Sequence, residues 1–321
     1  MTDPRTTRSS APWVAVAVAL GIVYVVWGST YLGIRIVTED ADPLTAMGTR
    51  YIAAGLLLGA IVAARRGFRW LRVTRHQLLG CAFLGLMLPL LGNGVVAVGE
   101  SKGATSGTAA LLIAVAPLAI VVFRLLERDV PRLQTLLGVL SGFAGLTVLV
   151  LLGSDDPHGS PLGPSLIVVF AGTCWALGSY LQPRVWLPDD AFVVTVWEML
   201  LGGVMATVAG LLAGETIRVD HDLRTWTAWG YLVVFGSVVA FSAYVWLLAH
   251  APISLVATYA YINPVVAVVL GFLVLDERIT TATVVGGGIV VASVAIVITS
   301  ERRRAEEVVP DTGAERAVAE R

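Results

Sequence analysis

Ten stretches of about 20 mostly apolar residues follow one another with hardly a break, and no other feature of the sequence narrows its fold so far. A helix needs about 20 such residues to cross a bilayer. The stretches fall at roughly 13–34, 43–64, 77–99, 103–123, 133–153, 163–183, 191–213, 225–249, 251–275 and 279–300. Eight of them carry no charged side chain; Arg50 interrupts the second and Glu198 the seventh. Over the whole chain 14% of residues are charged and the mean hydropathy is +0.80, whereas a soluble domain carries roughly 25% charged residues. The expectation is an all-α membrane protein of ten transmembrane helices, joined by short connections into one bundle.

The segments outside these spans set the orientation. Arg5 and Arg8 precede an apolar run from Trp13 to Ile34, which is too long for a signal peptide and reads as an uncleaved first helix. With residues 1–12 cytoplasmic, 16 Lys/Arg fall on the inner side, among them Arg65, Arg66, Arg69, Arg72, Arg75, Arg124, Arg128, Arg132 and Arg184. Only Arg35, Lys102, Arg218, Arg224 and Arg278 fall outside, and the outer loops at Glu39–Asp42 and Asp155–Asp156 are acidic. Positive loops stay in the cytoplasm, so both termini are expected there, in a protein of the inner membrane. The charged segment 301–321 is expected to be a disordered tail.

Several functions are disfavoured by composition. A net charge of −1 offers nothing to nucleic acid. Cys81 and Cys174 lie in separate spans without metal-ligand spacing, and His76, His158, His221 and His250 lie at span boundaries or in loops. No metal, cofactor or catalytic pair is expected, which leaves an intramembrane enzyme or a non-transporting receptor or structural bundle as weaker alternatives. No Walker lysine or glycine-rich phosphate loop is present, so ATP is not expected to drive the chain directly.

The spans repeat. Trp27 and Trp175 stand 148 residues apart, each followed by Gly, Ser and Tyr: Gly28, Ser29, Tyr31 and Gly178, Ser179, Tyr180. Gly55 and Gly203 are also 148 apart, Pro117 and Pro264 are 147 apart, and Glu127-Arg128 and Glu277-Arg278 are 150 apart. The halves are residues 13–153 and 163–300, with 154–162 an extracytoplasmic linker. Five spans per copy force the second copy to enter the membrane upside down, and inverted repeats are the architecture of many secondary transporters.

The residues Trp27-Gly-Ser-Thr-Tyr31, Gly92-Asn93-Gly94, Ser106-Gly107 leading to Pro117-Leu118, and Tyr259-Ala-Tyr261-Ile-Asn263-Pro264 occur in order on the appropriate helices. In this the chain resembles the EamA family of the drug/metabolite transporter superfamily, and within it the YedA-type branch of ten-helix exporters, from about Val25 to Ile298. The resemblance implies a central cavity lined by helices 1, 3, 4, 6, 8 and 9, and export of a small metabolite such as an amino acid or amphipathic compound. A sugar-phosphate exchanger of this fold would want basic groups facing the cavity, and Lys102, the only lysine, lies at a boundary.

Candidate site residues follow from chemistry inside apolar spans. Proline within a helix removes one hydrogen bond and frees the carbonyl four residues back. Pro117 and Pro264 therefore free Ile113 and Ala260 at equivalent places, which suits a hinge or gate, and Pro89 adds a third opening. Tyr259 and Asn263 share one helix face four residues apart, with Tyr261 beside them. Asn93 needs hydrogen-bond partners, from a helix or a substrate. Trp27, Tyr31, Trp175 and Tyr244 either pack the core or wall the cavity, and Ser179 suits close helix packing or the cavity wall. An ionisable group in a span is a functional hypothesis by default. Glu198 is the proton-coupling candidate, while Arg50 is expected to snorkel to its nearer surface or bond a neighbouring helix. Glu100, Glu127 and Glu277 at span ends read as anchors or gate-rim charges. The glycines of the fifth and tenth spans fit packing within a monomer or across a weak homodimer.

Overall fold

Capping chemistry sets where several helices begin. Thr74 forms a capping box with Gln77, and Asp190, Asp222 and Thr105 accept hydrogen bonds from Phe192, Thr225 and Thr108 N–H groups, satisfying donors that a helix start leaves unpaired. Pro43 opens another helix at its first turn, where its missing N–H costs nothing. In the computed structural model, which describes residues 13–155, 158–251, 253–256 and 258–308, these starts organise ten helices. They are α1 (Trp13–Thr38), α2 (Pro43–Arg66), α3 (Arg75–Ser101), α4 (Ser106–Leu126), α5 (Leu133–Asp155), α6 (Leu162–Leu181), α7 (Ala191–Leu212), α8 (Leu223–Leu248), α9 (Tyr259–Leu275) and α10 (Thr281–Val308).

Among the described residues no strand occurs, and nine helices are long and apolar enough to cross a membrane. The exception is α9. The apolar run from 251 to 275 divides into a single turn, Ile253–Val256, and the 17-residue α9, about 25 Å at 1.5 Å per residue. At the other end of the chain, α10 runs through residue 300, where the tail was expected to begin, and continues to Val308. The remainder of that tail, residues 1–12 and Asp156 of the linker lie outside the described residues.

Two classes of helix emerge. Long, regular helices pack as the pairs α2–α7 and α5–α10, which are equivalent positions in the two halves. Small residues bring these pairs together. A Cβ at Gly48 would come within 2.5 Å of the Thr207 nitrogen, and one at Gly286 within 2.7 Å of the Leu149 nitrogen. Gly138 and Gly145 meet Val297 and Ile289 of α10 in the same way, so these glycines serve packing within the chain.

The irregular helices are α1, α3, α4, α8 and the approach to α9. The turn widens to a π-helical form at Val23–Trp27, Leu86–Gly94 and Leu232–Val239, and α4 breaks at Ala114. Such wide turns concentrate at functional sites. Those in α3 and α8 start 146 residues apart, close to the repeat spacing. Pro89 explains the first; the second contains no proline. Near Pro117 the chain does break, three residues earlier. Pro264 lies inside α9, which continues through it, and the interruption of the apolar run falls before Tyr259.

Candidate functional site

The deepest convergence of sequence-predicted residues is aromatic. Trp27 of α1 meets Tyr244 of α8 and Tyr259 of α9 with ring centroids 5.1 and 5.2 Å away, and the two tyrosines are 5.8 Å apart edge to face. The widened turn of α8 leaves the Gly236 carbonyl able to accept a hydrogen bond from Trp27 Nε1 at 3.3 Å. Just toward the start of α9, Tyr24 and Thr258 share a hydroxyl hydrogen bond. α1 and α9 approach closely because Gly28 has no side chain: a Cβ there would lie 2.7 Å from Val266 and 3.1 Å from the Asn263 carbonyl.

Asn263 is 8% exposed, and its side-chain oxygen has no hydrogen-bond partner among the described residues. A buried amide oxygen left so is costly, and a ligand N–H or O–H would satisfy it. Tyr31 and Tyr261 pack instead against the main apolar cluster that joins α3, α4, α5, α6 and α10. Trp175 belongs to a separate contact, seated over Gly92 of α3 and against Ala116, Ala119 and Ala176. Asn93, the residue after Gly92, is half-buried. Pro89 packs on Gly202 of α7. Ser179, with Tyr180, lines a cavity of about 520 Å³ that also includes Ile120, Arg124, Glu127 and Arg184. The candidates thus divide into an aromatic group on α1, α8 and α9, a second group on α3, α4 and α6, and a vestibule at the arginine-rich end.

Arg50, expected to snorkel or to bond a neighbouring helix, is 3% exposed and donates to Ser237 Oγ of α8 at 3.3 Å. Half-buried Glu198 makes no ion pair with it among the described residues, although Tyr51 lies in electrostatic range of both. Glu100, read as a boundary anchor or gate-rim charge, is completely buried, with both carboxylate oxygens unpartnered among the described residues; Arg35 donates to its backbone carbonyl. The signal in the sequence was only its position next to a span end, which does not reveal what covers it.

At the end opposite the arginine-rich loops, two glutamates cap helices across the repeat boundary. Glu277, just beyond α9, accepts hydrogen bonds from the Ser106 and Gly107 N–H groups (2.8 and 3.2 Å) and from Ser106 Oγ at 3.0 Å. Glu215, just beyond α7, accepts from the Leu44 and Thr45 N–H groups at 3.2 and 2.8 Å. Each crosses over a glycine. A Cβ at Gly271 would crowd the Glu277 carboxylate and sit 2.8 Å from Ser106 Oγ; one at Gly210 would sit 2.7 Å from Glu215 Oε2. Carboxylates at helix N-termini are stabilised by the unpaired N–H groups and the helix dipole.

The two ends differ. At the Glu277 end α4 packs on α9, with Gly107 against Val268. At the arginine-rich end they part. Phe123 of α4 meets Tyr180 of α6 with ring centroids 5.7 Å apart and the planes tilted by 45°, whereas the residues before α9 turn to α1 through Tyr24. Glu127, the repeat counterpart of Glu277, pairs with Arg184 at 2.6 Å and lies half exposed at the cavity.

The profile of the EamA-like transporter family matches residues 13–151 and 163–299, two segments that divide the helices into α1–α5 and α6–α10. The uncharacterized inner membrane transporter YedA of Escherichia coli K12 is 38% identical over 253 residues, covering 79% of this chain and 80% of that protein. The S-adenosylmethionine/S-adenosylhomocysteine transporter of Chlamydia trachomatis is 23% identical over 263 residues, covering 78% of this chain and 79% of that protein. A crystal structure 19% identical in sequence superposes with a TM-score of 0.61, covering 90% of this chain and 99% of its own, and shares the fold.

Proposed function

The chain belongs to the EamA-like transporter family, and on that premise we propose that this integral membrane protein is a secondary transporter working by alternating access of two inverted five-helix halves. The arginine-rich end is the cytoplasmic one, and the structure is the inward-facing member of the pair of states. The observation that carries this reading is the inequality of the two ends of α4 and α9, sealed through Glu277 at one, while at the other α4 turns to α6 and the residues before α9 turn to α1. Two similar halves in opposite senses give a bundle two near-equivalent shapes, each open to one side.

The substrate is a small organic metabolite, carried outward, whose apolar body rests on Trp27, Tyr244 and Tyr259 while Asn263 binds a polar group. A relative named for S-adenosylmethionine and S-adenosylhomocysteine supports the metabolite size class. Purified protein in liposomes tests the reading: a metabolite panel is loaded inside and counterflow followed under an imposed gradient. Saturable movement of at least one metabolite is expected. Folded protein that moves none of a broad panel would overturn it.

A further inference from the structure

Arg50 is a buried ionisable group without a counter-charge among the described residues. The residue is 3% exposed, and a guanidinium stays protonated in proteins. Its neighbours are neutral: the Met47 sulfur at 3.5 Å, Ser237 Oγ at 3.3 Å and the Tyr51 ring face at 4.8 Å. Nε has no hydrogen-bond partner, and Arg50 makes no ion pair among the described residues. A charge held in a low-dielectric interior normally has a counter-charge, so this one is set up to receive an anion from elsewhere.

Its position says which anion. A Cβ on Gly236 would lie 3.5 Å from the guanidinium, and the carbonyl of that same residue binds Trp27 Nε1. Trp27 in turn contacts Tyr244 and Tyr259. The guanidinium and the aromatic cluster therefore converge on one glycine of α8, with no side chain from that residue between them. We propose that Arg50 is the carboxylate-binding subsite of the transported molecule, which carries a carboxylate on a flat apolar body seated against the three rings. The free Nε–H edge offers the planar fork that pairs with a carboxylate in two parallel hydrogen bonds. This rests on the transporter reading and adds a chemical class to it.

The test uses full-length protein and three probes with the same phenyl body: 3-phenylpropionate, L-phenylalanine and phenethylamine. Binding is read as thermal stabilisation in detergent and transport as counterflow in liposomes. The wild type should favour the two carboxylates over the amine by about tenfold or more, the scale of hydrogen bonds to a charged group. Arg50→Gln should remove that preference. Should Arg50→Gln not fold, Arg50→Lys keeps the charge without the fork and should weaken the carboxylates relative to the amine. An unchanged ratio in either folded variant, or no carboxylate preference in the wild type, overturns the subsite. Arg50-dependent carboxylate binding without transport would keep the subsite and defeat the transporter reading; transport without carboxylate preference would do the reverse.

Discussion

Asn263 and Asp190 differ in what their removal should do, because one holds an unsatisfied group and the other a network. The Asn263 amide oxygen makes no hydrogen bond among the described residues, so Asn263→Ala removes little that holds the fold. Counterflow should fall strongly while the thermal midpoint stays close to wild type; equal loss of both would make the residue structural. Asp190 shows the opposite balance. Partial burial pushes its carboxyl up, but hydrogen bonds from the Trp70 indole and the Phe192 N–H, with the Arg66 charge, outweigh this and hold it below the ordinary value. A depressed carboxyl contributes stability above its unfolded pKa and loses it as pH falls through the folded one. Asp190→Asn should therefore lower thermal stability at neutral pH and flatten its decline in acid, measured by thermal unfolding across pH. An undiminished acid decline would remove this pair from the account. Asn263 and Tyr259 were legible as polar groups in an apolar span. The isolation of Arg50 and the sealing of Glu100 were not, since both depend on which helix covers them.

Helix packing separates a rigid frame from a movable interior. The α2–α7 contact depends on Gly48, where a methyl group would collide with the Thr207 backbone. Overpacking of this kind costs about 1–3 kcal/mol, so Gly48→Ala should lower the thermal midpoint in detergent; an unchanged midpoint would mean the pair can slide apart freely. At the far end, Gly271→Ala should displace the Glu277 carboxylate from the start of α4 and loosen that seal. A cysteine placed at Ala104, which is fully buried just before α4, should then react faster with an impermeant thiol reagent, and an unaltered rate would assign the closure to other contacts. The apolar spans and their breaks were partly readable. Pro89 and Pro117 marked α3 and α4 as irregular, but the wide turn of α8 has no proline and was silent in the sequence. Pro264 lies inside α9, where its missing N–H leaves the Ala260 carbonyl without its helical partner, but the helix continues through it.

The duplication seen in the spacing of Trp27 and Trp175 reappears as equivalent helix pairs and as matching wide turns in α3 and α8. What spacing alone could not reveal is that the halves are unequal where it matters. Glu277 crosses Gly271 to cap α4, while its first-half counterpart Glu127 pairs with Arg184 beyond α6. The seal at the arginine-rich end must be built differently, and the two states need not be equally populated. The central claim is that these ends open in alternation. Spin-label pairs at Lys102/Arg278 and Leu126/His250, in protein whose Cys81 and Cys174 are replaced, report both ends at once in liposomes. With transported substrate present, the first distance should lengthen in a fraction of molecules and the second shorten in the same fraction. Single, unchanged distances during active counterflow, or both pairs lengthening together, would contradict it.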